Sequence, residues 1–135
     1  MPGETNLQKL LGSMSPELVP GVHVFATLPP GAPIPAGLNS MMTFREREGD
    51  TLILLEEEAR ATGLQSSFRS RMITLNIHSS LDAVGFLAAI TARLAAAGMG
   101  VNPVSGYFHD HLFVPIARAQ DALAVLEQLS ARSAG

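Results

Sequence analysis

Across residues 72–130 the spacing of apolar residues changes in a fixed order, and that order limits the fold more than any other feature of the chain. Ile73, Leu75 and Ile77 alternate, which is the period of a strand. Ala83, Leu87, Ile90, Leu94 and Ala97 then recur at steps of three and four, so one face of a helix meets a sheet. Ser79 and Asp82 have the spacing of a cap with reciprocal backbone hydrogen bonds, and Gly98 can take the left-handed conformation that ends the helix. Residues 99–105 and 111–114 read as two more strands around a turn at 106–110, the second ended by Pro115. A second amphipathic helix over 118–130 has Ala119, Ala122, Leu126 and Leu129 as its inner stripe. The order predicts an α+β, ferredoxin-like β-α-β-β-α sandwich: an antiparallel sheet, both helices on one face, and the last strand missing.

The first part of the chain carries weaker signals. Thr5 and Gln8 have capping-box spacing ahead of a short helix over 5–11, with Leu7, Leu10 and Leu11 as its stripe and Gly12 as its stop. Ser15-Pro16 and Pro20-Gly21 mark turns, and residues 22–28 alternate as a strand with Val22, Val24, Ala26 and Leu28 on one face. Residues 29–37 (PPGAPIPAG) hold four prolines, which fix φ and remove donors, so a surface loop is expected. Gly49-Asp50 reads as a two-residue hairpin turn between strands over 41–48 and 51–56. Leu52, Ile53, Leu54 and Leu55 suggest that the second of these is buried on both faces, and a short helix over 57–62 stops at Gly63. The polar stretch 65–71, with Arg69 and Arg71, reads as the boundary between an N-terminal half, 1–64, and a second domain, 72–131. The first half is then a degenerate copy that completes the sheet of the second.

Composition removes several function classes. A net charge of −3 gives no basic field for a phosphate backbone, so no nucleic-acid partner is expected. There is no cysteine for thiolate chemistry or disulfides. No apolar run reaches the roughly 18 residues that cross a bilayer, and residues 1–12 are too polar for a signal peptide. The expectation is a cytoplasmic protein with no membrane partner. There is no phosphate loop and no dinucleotide fingerprint. Ser79 and Ser80 beside His78 do not make a nucleophile and base, because neighbours at a strand end point apart. No enzyme and no cofactor are expected.

The stretch ITLNIHSSLDAVGFLAAITARLAAAGMGVNPVSGYFHDHLFVP resembles the ACT-domain pattern. In that pattern a strand enters a short turn with an acidic residue and a glycine, here Asp82 and Gly85. A helix closing on an L-A-x-x-G step comes next, here Leu94 to Gly98, and then a strand–hairpin–strand that carries Asn102. Val84 stands where the pattern often has proline. The resemblance is strongest over residues 72–125. It is weaker over 5–63. The whole chain is also similar to short bacterial proteins with an ACT-like N-terminal half before an ACT domain, most of all in SSLDAVG and SGYFHDHLFVP, which implies tandem ACT-like halves sharing one antiparallel sheet.

The resemblance implies a non-catalytic regulatory module that binds a small ligand, in many members an amino acid, at an interface between two domains. The ligand-binding set it implies is His78, Ser79, Ser80, Leu81, Asp82, Ala83, Val84, Gly85 and Asn102. The partners would be an amino acid, a second copy in a homodimer, and a target protein. The residue chemistry agrees: a helix start suits a carboxylate, and Gly85 without a Cβ lets a ligand come close. Asn102 in an apolar strand reads as buried and in need of hydrogen bonds, from the sheet or from a ligand's amino group. Two other readings stand beside this one. The first is an assembly protein with no ligand. The second is a metal-dependent enzyme using His109 and His111, two apart on a strand, with His78 or Asp82 as third ligand.

Overall fold

A computed structural model describes residues 3–134. Its elements are α1 (Leu7–Ser13), β1 (Pro16–Leu28), β2 (Met42–Arg45), β3 (Asp50–Leu55), α2 (Glu56–Thr62), β4 (Ser66–Leu75), α3 (Phe86–Ala96), β5 (Asn102–Ser105), β6 (Asp110–Pro115) and α4 (Ala119–Ala134). A 3-10 turn, Ile116–Arg118, precedes α4. The strands hydrogen-bond in the order β2-β3-β1-β4-β6-β5, and the β1–β3, β2–β3 and β5–β6 pairs are antiparallel. The chain forms two compact units: Met1–Pro20 with Arg71–Gly135, the terminal unit, and Gly21–Ser70, the middle unit. The two long strands, β1 and β4, each contribute to both.

In the terminal unit the end of β4, α3, β5, β6 and α4 succeed one another as the apolar spacing predicts. The last strand of a ferredoxin-like sheet, missing after α4, is supplied by the first residues of β1 beside β4. The Arg71 guanidinium donates to the Val19 carbonyl at 3.2 Å and ties the two together. Ile90 and Leu94 of α3 and Ala122, Leu126 and Leu129 of α4 are buried with Ile73, Leu75, Leu112 and Val114 of the sheet. α1 adds Leu10 and Leu11 to that core, and Met14, just after the helix, adds a third side chain. Gly12 lies inside α1, where a Cβ would come within 3.1 Å of the Ala134 Cα, so its small size sets how closely α1 and α4 pack.

The middle unit repeats the strand order, β2-β3-β1-β4, around a smaller core of Val24, Ala26, Leu28, Leu52, Leu54 and Ala59. The proline loop comes after β1, where the terminal unit has α3 after β4. α2 ends as expected at Gly63, whose φ of 68° is left-handed. The chain is thus two ferredoxin-like halves sharing an antiparallel sheet.

Several local expectations give way to longer-range interactions. α1 is capped by the Asn6 side chain, which accepts from the Lys9 N–H at 3.0 Å; Thr5 is outside it and Gly12 does not end it. Pro16 and Pro20-Gly21 are strand rather than turn; Pro16 opens β1, a position that needs no donor, and Gly21 takes a φ of 103° within it. The β2–β3 hairpin loop is residues 46–49, because Asp50 already pairs with Arg45. Gly49 passes the Leu28 carbonyl so closely that a Cβ would sit 2.5 Å from its oxygen. Residues 66–71, in the polar stretch read as a boundary, are the start of β4. Their polarity misleads because three of these side chains have partners: Arg69 pairs with Glu56, Arg71 donates to the Val19 carbonyl, and the buried Ser70 hydroxyl donates to the His23 carbonyl at 2.9 Å.

Candidate functional site

The end of β4 leads through residues 76–85, which form turns and no helix, to α3. This segment is held from the N-terminal side: the Glu4 N–H donates to the His78 carbonyl at 2.8 Å, and the Ser80 N–H donates to the Glu4 carbonyl at 2.9 Å. The approach is close enough to require glycine at position 3, where a Cβ would lie 2.5 Å from the Ser79 carbonyl carbon. α3 therefore begins only at Phe86. Ser79 does not cap it, because the Ser79 hydroxyl donates to Asp110 at 2.9 Å. Asp82 does not cap it either; its N–H is bound by the Ser80 hydroxyl at 3.1 Å. The cap position falls to Gly85 at φ 89°, with no side-chain hydrogen bond. The first N–H groups of α3, at Phe86, Leu87 and Ala88, are left without a capping side chain.

Asp110 opens β6 opposite Ser105, and it is only 6% exposed. Its two carboxylate oxygens accept one hydroxyl each, from Ser79 at 2.9 Å and from Ser105 at 2.6 Å. Among the described residues no cation forms an ion pair with it. Each oxygen keeps acceptor capacity, and a buried carboxylate without a countercharge is costly unless a ligand supplies one. This carboxylate and the first turn of α3 line the same cleft, of about 230 Å³. Leu81, Ala83 and Leu87 supply part of its apolar lining.

Five of the nine sequence-predicted residues line this cleft: Ser79, Ser80, Leu81, Ala83 and Gly85. Asp82 and Val84 are exposed and outside the lining, Val84 at 84%. His78 lies against Phe108 and Tyr107, with ring centroids 5.5 and 6.2 Å away. Asn102 is exposed, not buried as expected, since β5 is an edge strand whose first residue pairs only with Phe113. Local sequence pattern marks Asp110 only as part of a histidine-rich turn and misses its place in the cleft. The one signal in the sequence is a serine five residues before it and across the hairpin.

The histidines are committed elsewhere. His109 Nδ1 lies 3.1 Å from the Ile77 carbonyl, and His111 Nδ1 lies 3.0 Å from the Thr74 hydroxyl. Burial pushes the His111 imidazole below its ordinary value of 6.5; the neighbouring His109 acts in the same direction and Asp110 opposes both. Among the described residues no three His, Asp or Glu side chains gather to hold a metal. No described helix is long and apolar enough to cross a membrane.

A sheet that presents a helix start and a buried carboxylate to one cleft can hold a molecule with both an anionic and a cationic pole. The likeness to known proteins bears on which kind of protein does so. Two ACT-domain family models match in succession, over residues 2–71 and 67–128. No curated protein matches the chain. Among solved structures, the protein of unknown function VC0802 from Vibrio cholerae, described as a possible transport protein, is 44% identical, with a TM-score of 0.81 over 92% of this chain and 95% of that one. Atu0741 from Agrobacterium tumefaciens shares the fold at 17% identity and a TM-score of 0.73, covering 85% and 87%. The ligand-free regulatory subunit of aspartate kinase from Thermus thermophilus shares it at 11% identity and a TM-score of 0.65, covering 87% and 97%. The chain belongs to the ACT-domain family, with two ACT domains in tandem.

Proposed function

We propose that this protein is a non-catalytic regulatory module that binds an amino acid in the cleft of its terminal unit. The ligand's ammonium group meets Asp110, and its carboxylate meets the N–H groups of Phe86, Leu87 and Ala88. The observation that carries this reading is the buried Asp110 carboxylate, fixed by two hydroxyls and matched by no cation among the described residues. A carboxylate so placed favours an ammonium ligand, while the dipole of α3 favours an anion at its start. The shared fold of the aspartate kinase regulatory subunit supports a regulatory role.

The sequence division belongs to the same proposal: an ACT-like half over 1–64, and an ACT domain over 72–131 that supplies the ligand groups. So does a cytoplasmic homodimer acting on a target protein. Val84, Tyr107 and Phe108, each more than 60% exposed, favour a covered surface in that assembly.

A thermal-shift screen with the common L-amino acids at millimolar concentration tests the reading. At least one should raise the melting temperature of the wild type, since a ligand at about 100 times its Kd adds about 2.7 kcal/mol. Asp110→Asn should fold and lose that response. No shift with any amino acid overturns the proposal.

A further inference from the structure

The cleft also constrains what an amino acid bound there can carry beyond its two charged poles. We infer that it selects α-amino acids with uncharged, largely apolar side chains, an inference that rests on the binding reading above. Among the described residues, Asp110 is the only charged side chain in the lining. If it takes the ligand's ammonium and the start of α3 takes the carboxylate, no countercharge is left for a third pole. The nearby charges are already spent or face away. Glu4 is paired with Lys9, Asp82 lies outside the lining, and His109 and His111 are bonded to Ile77 and Thr74. What remains of the side chains is Leu81, Ala83, Phe86, Leu87, Ala88 and the Ser80 hydroxyl. These groups stabilise an apolar or hydroxyl-bearing side chain and leave a carboxylate, ammonium or guanidinium desolvated and unpaired.

Isothermal titration calorimetry of the full chain with L-valine, L-threonine, L-aspartate and L-lysine tests this. Valine and threonine should bind within about a hundredfold of one another, because an apolar wall discriminates weakly against an added hydroxyl. Aspartate and lysine should bind at least about a hundredfold more weakly than the better of those two, the direction set by an unpaired buried charge. Binding of aspartate or lysine as tight as that of valine overturns the selectivity and leaves the amino-acid site standing. Failure of every amino acid to bind instead overturns the site itself.

A gain-of-function variant gives a second, independent check. Leu81 is 68% exposed, so Leu81→Arg is compatible with folding, and it adds the missing cation to the lining. It should tighten L-aspartate at least about tenfold, in line with a charge-assisted pair. An unchanged aspartate affinity in a folded L81R protein contradicts the inference.

Discussion

The terminal and middle units have the same strand order, and they differ in the segment that each strand feeds into. In the terminal unit β4 leads to α3, whose first turn lines a cleft with a buried carboxylate and has no capping side chain. In the middle unit β1 leads to Pro29 and Pro30, which have no N–H to offer, and no described residue between β1 and β2 is helical. The helix that the middle unit does keep, α2, begins with Glu56, Glu57 and Glu58, so its positive end is filled by its own acids. A cleft of the middle unit, about 510 Å³ beside Pro29 and Pro30, has no buried charged side chain among the described residues that line it. One topology is thus built with two endings: on the proposed reading, the unit that binds is the one where a helix start and a buried carboxylate converge, and the other unit has prolines in that place.

The largest expected effects lie in the cores. Leu94→Ala in the terminal unit and Leu54→Ala in the middle unit each empty a fully buried site, at a cost of about 2–5 kcal/mol. Among the described residues, fifteen buried ones form the terminal cluster and six the middle one, so the middle unit should open locally at lower free energy. Hydrogen exchange should find the amides of α2 and β3 less protected than those of α3 and α4. Equal protection would break the comparison.

Glycine substitutions sharpen it at smaller scale. Gly85 and Gly63 both hold left-handed backbone, at φ 89° and 68°, and neither would place a new Cβ in a clash. Gly85→Ala and Gly63→Ala should each cost about 1–2 kcal/mol in denaturant unfolding. Only Gly85→Ala, at the cleft, should weaken amino-acid binding. The reverse pattern would move the site to the middle unit.

The smallest effect is one of pH, in the terminal unit. The folded-state value of His111 lies below its ordinary 6.5, so the unfolded chain takes up a proton first as pH falls. The stability it contributes is therefore present above about pH 6.5 and is lost as pH drops through the unfolded and then the folded value. Wild-type melting temperature should fall more steeply between pH 8 and pH 5 than that of His111→Gln. Parallel curves would remove His111 from the account.

Levels of structure differ in how readily they can be read along the chain. The stripes Ile90–Leu94 and Ala119–Ala122–Leu126–Leu129 are legible because helical burial repeats within a few residues. The left-handed stop at Gly63 and the proline loop are legible for the same local reason. Asp110 is not. Its meaning comes from the Ser79 hydroxyl, 31 residues earlier in the chain, which local spacing assigns to a helix cap. β4 is hidden over 66–71 because the partners that satisfy its polar side chains, Glu56 and the His23 carbonyl, are also remote. Asn102 is misplaced by its pattern because an apolar-looking stretch gives no sign that its strand is at a sheet edge. The candidate cleft is thus half visible: the turn from Ser79 to Gly85 can be read, and Asp110 beside it cannot.

The central claim is that one unit binds and the other does not. Backbone NMR of the full chain, titrated with the amino acid that stabilises it most, tests this directly. Saturable shift changes confined to residues 79–88 and 105–110, and abolished in Asp110→Asn, are the predicted result. Changes centred on Thr27, Glu48 and Gly63 to Gln65, or persisting in the Asp110→Asn protein, would contradict it.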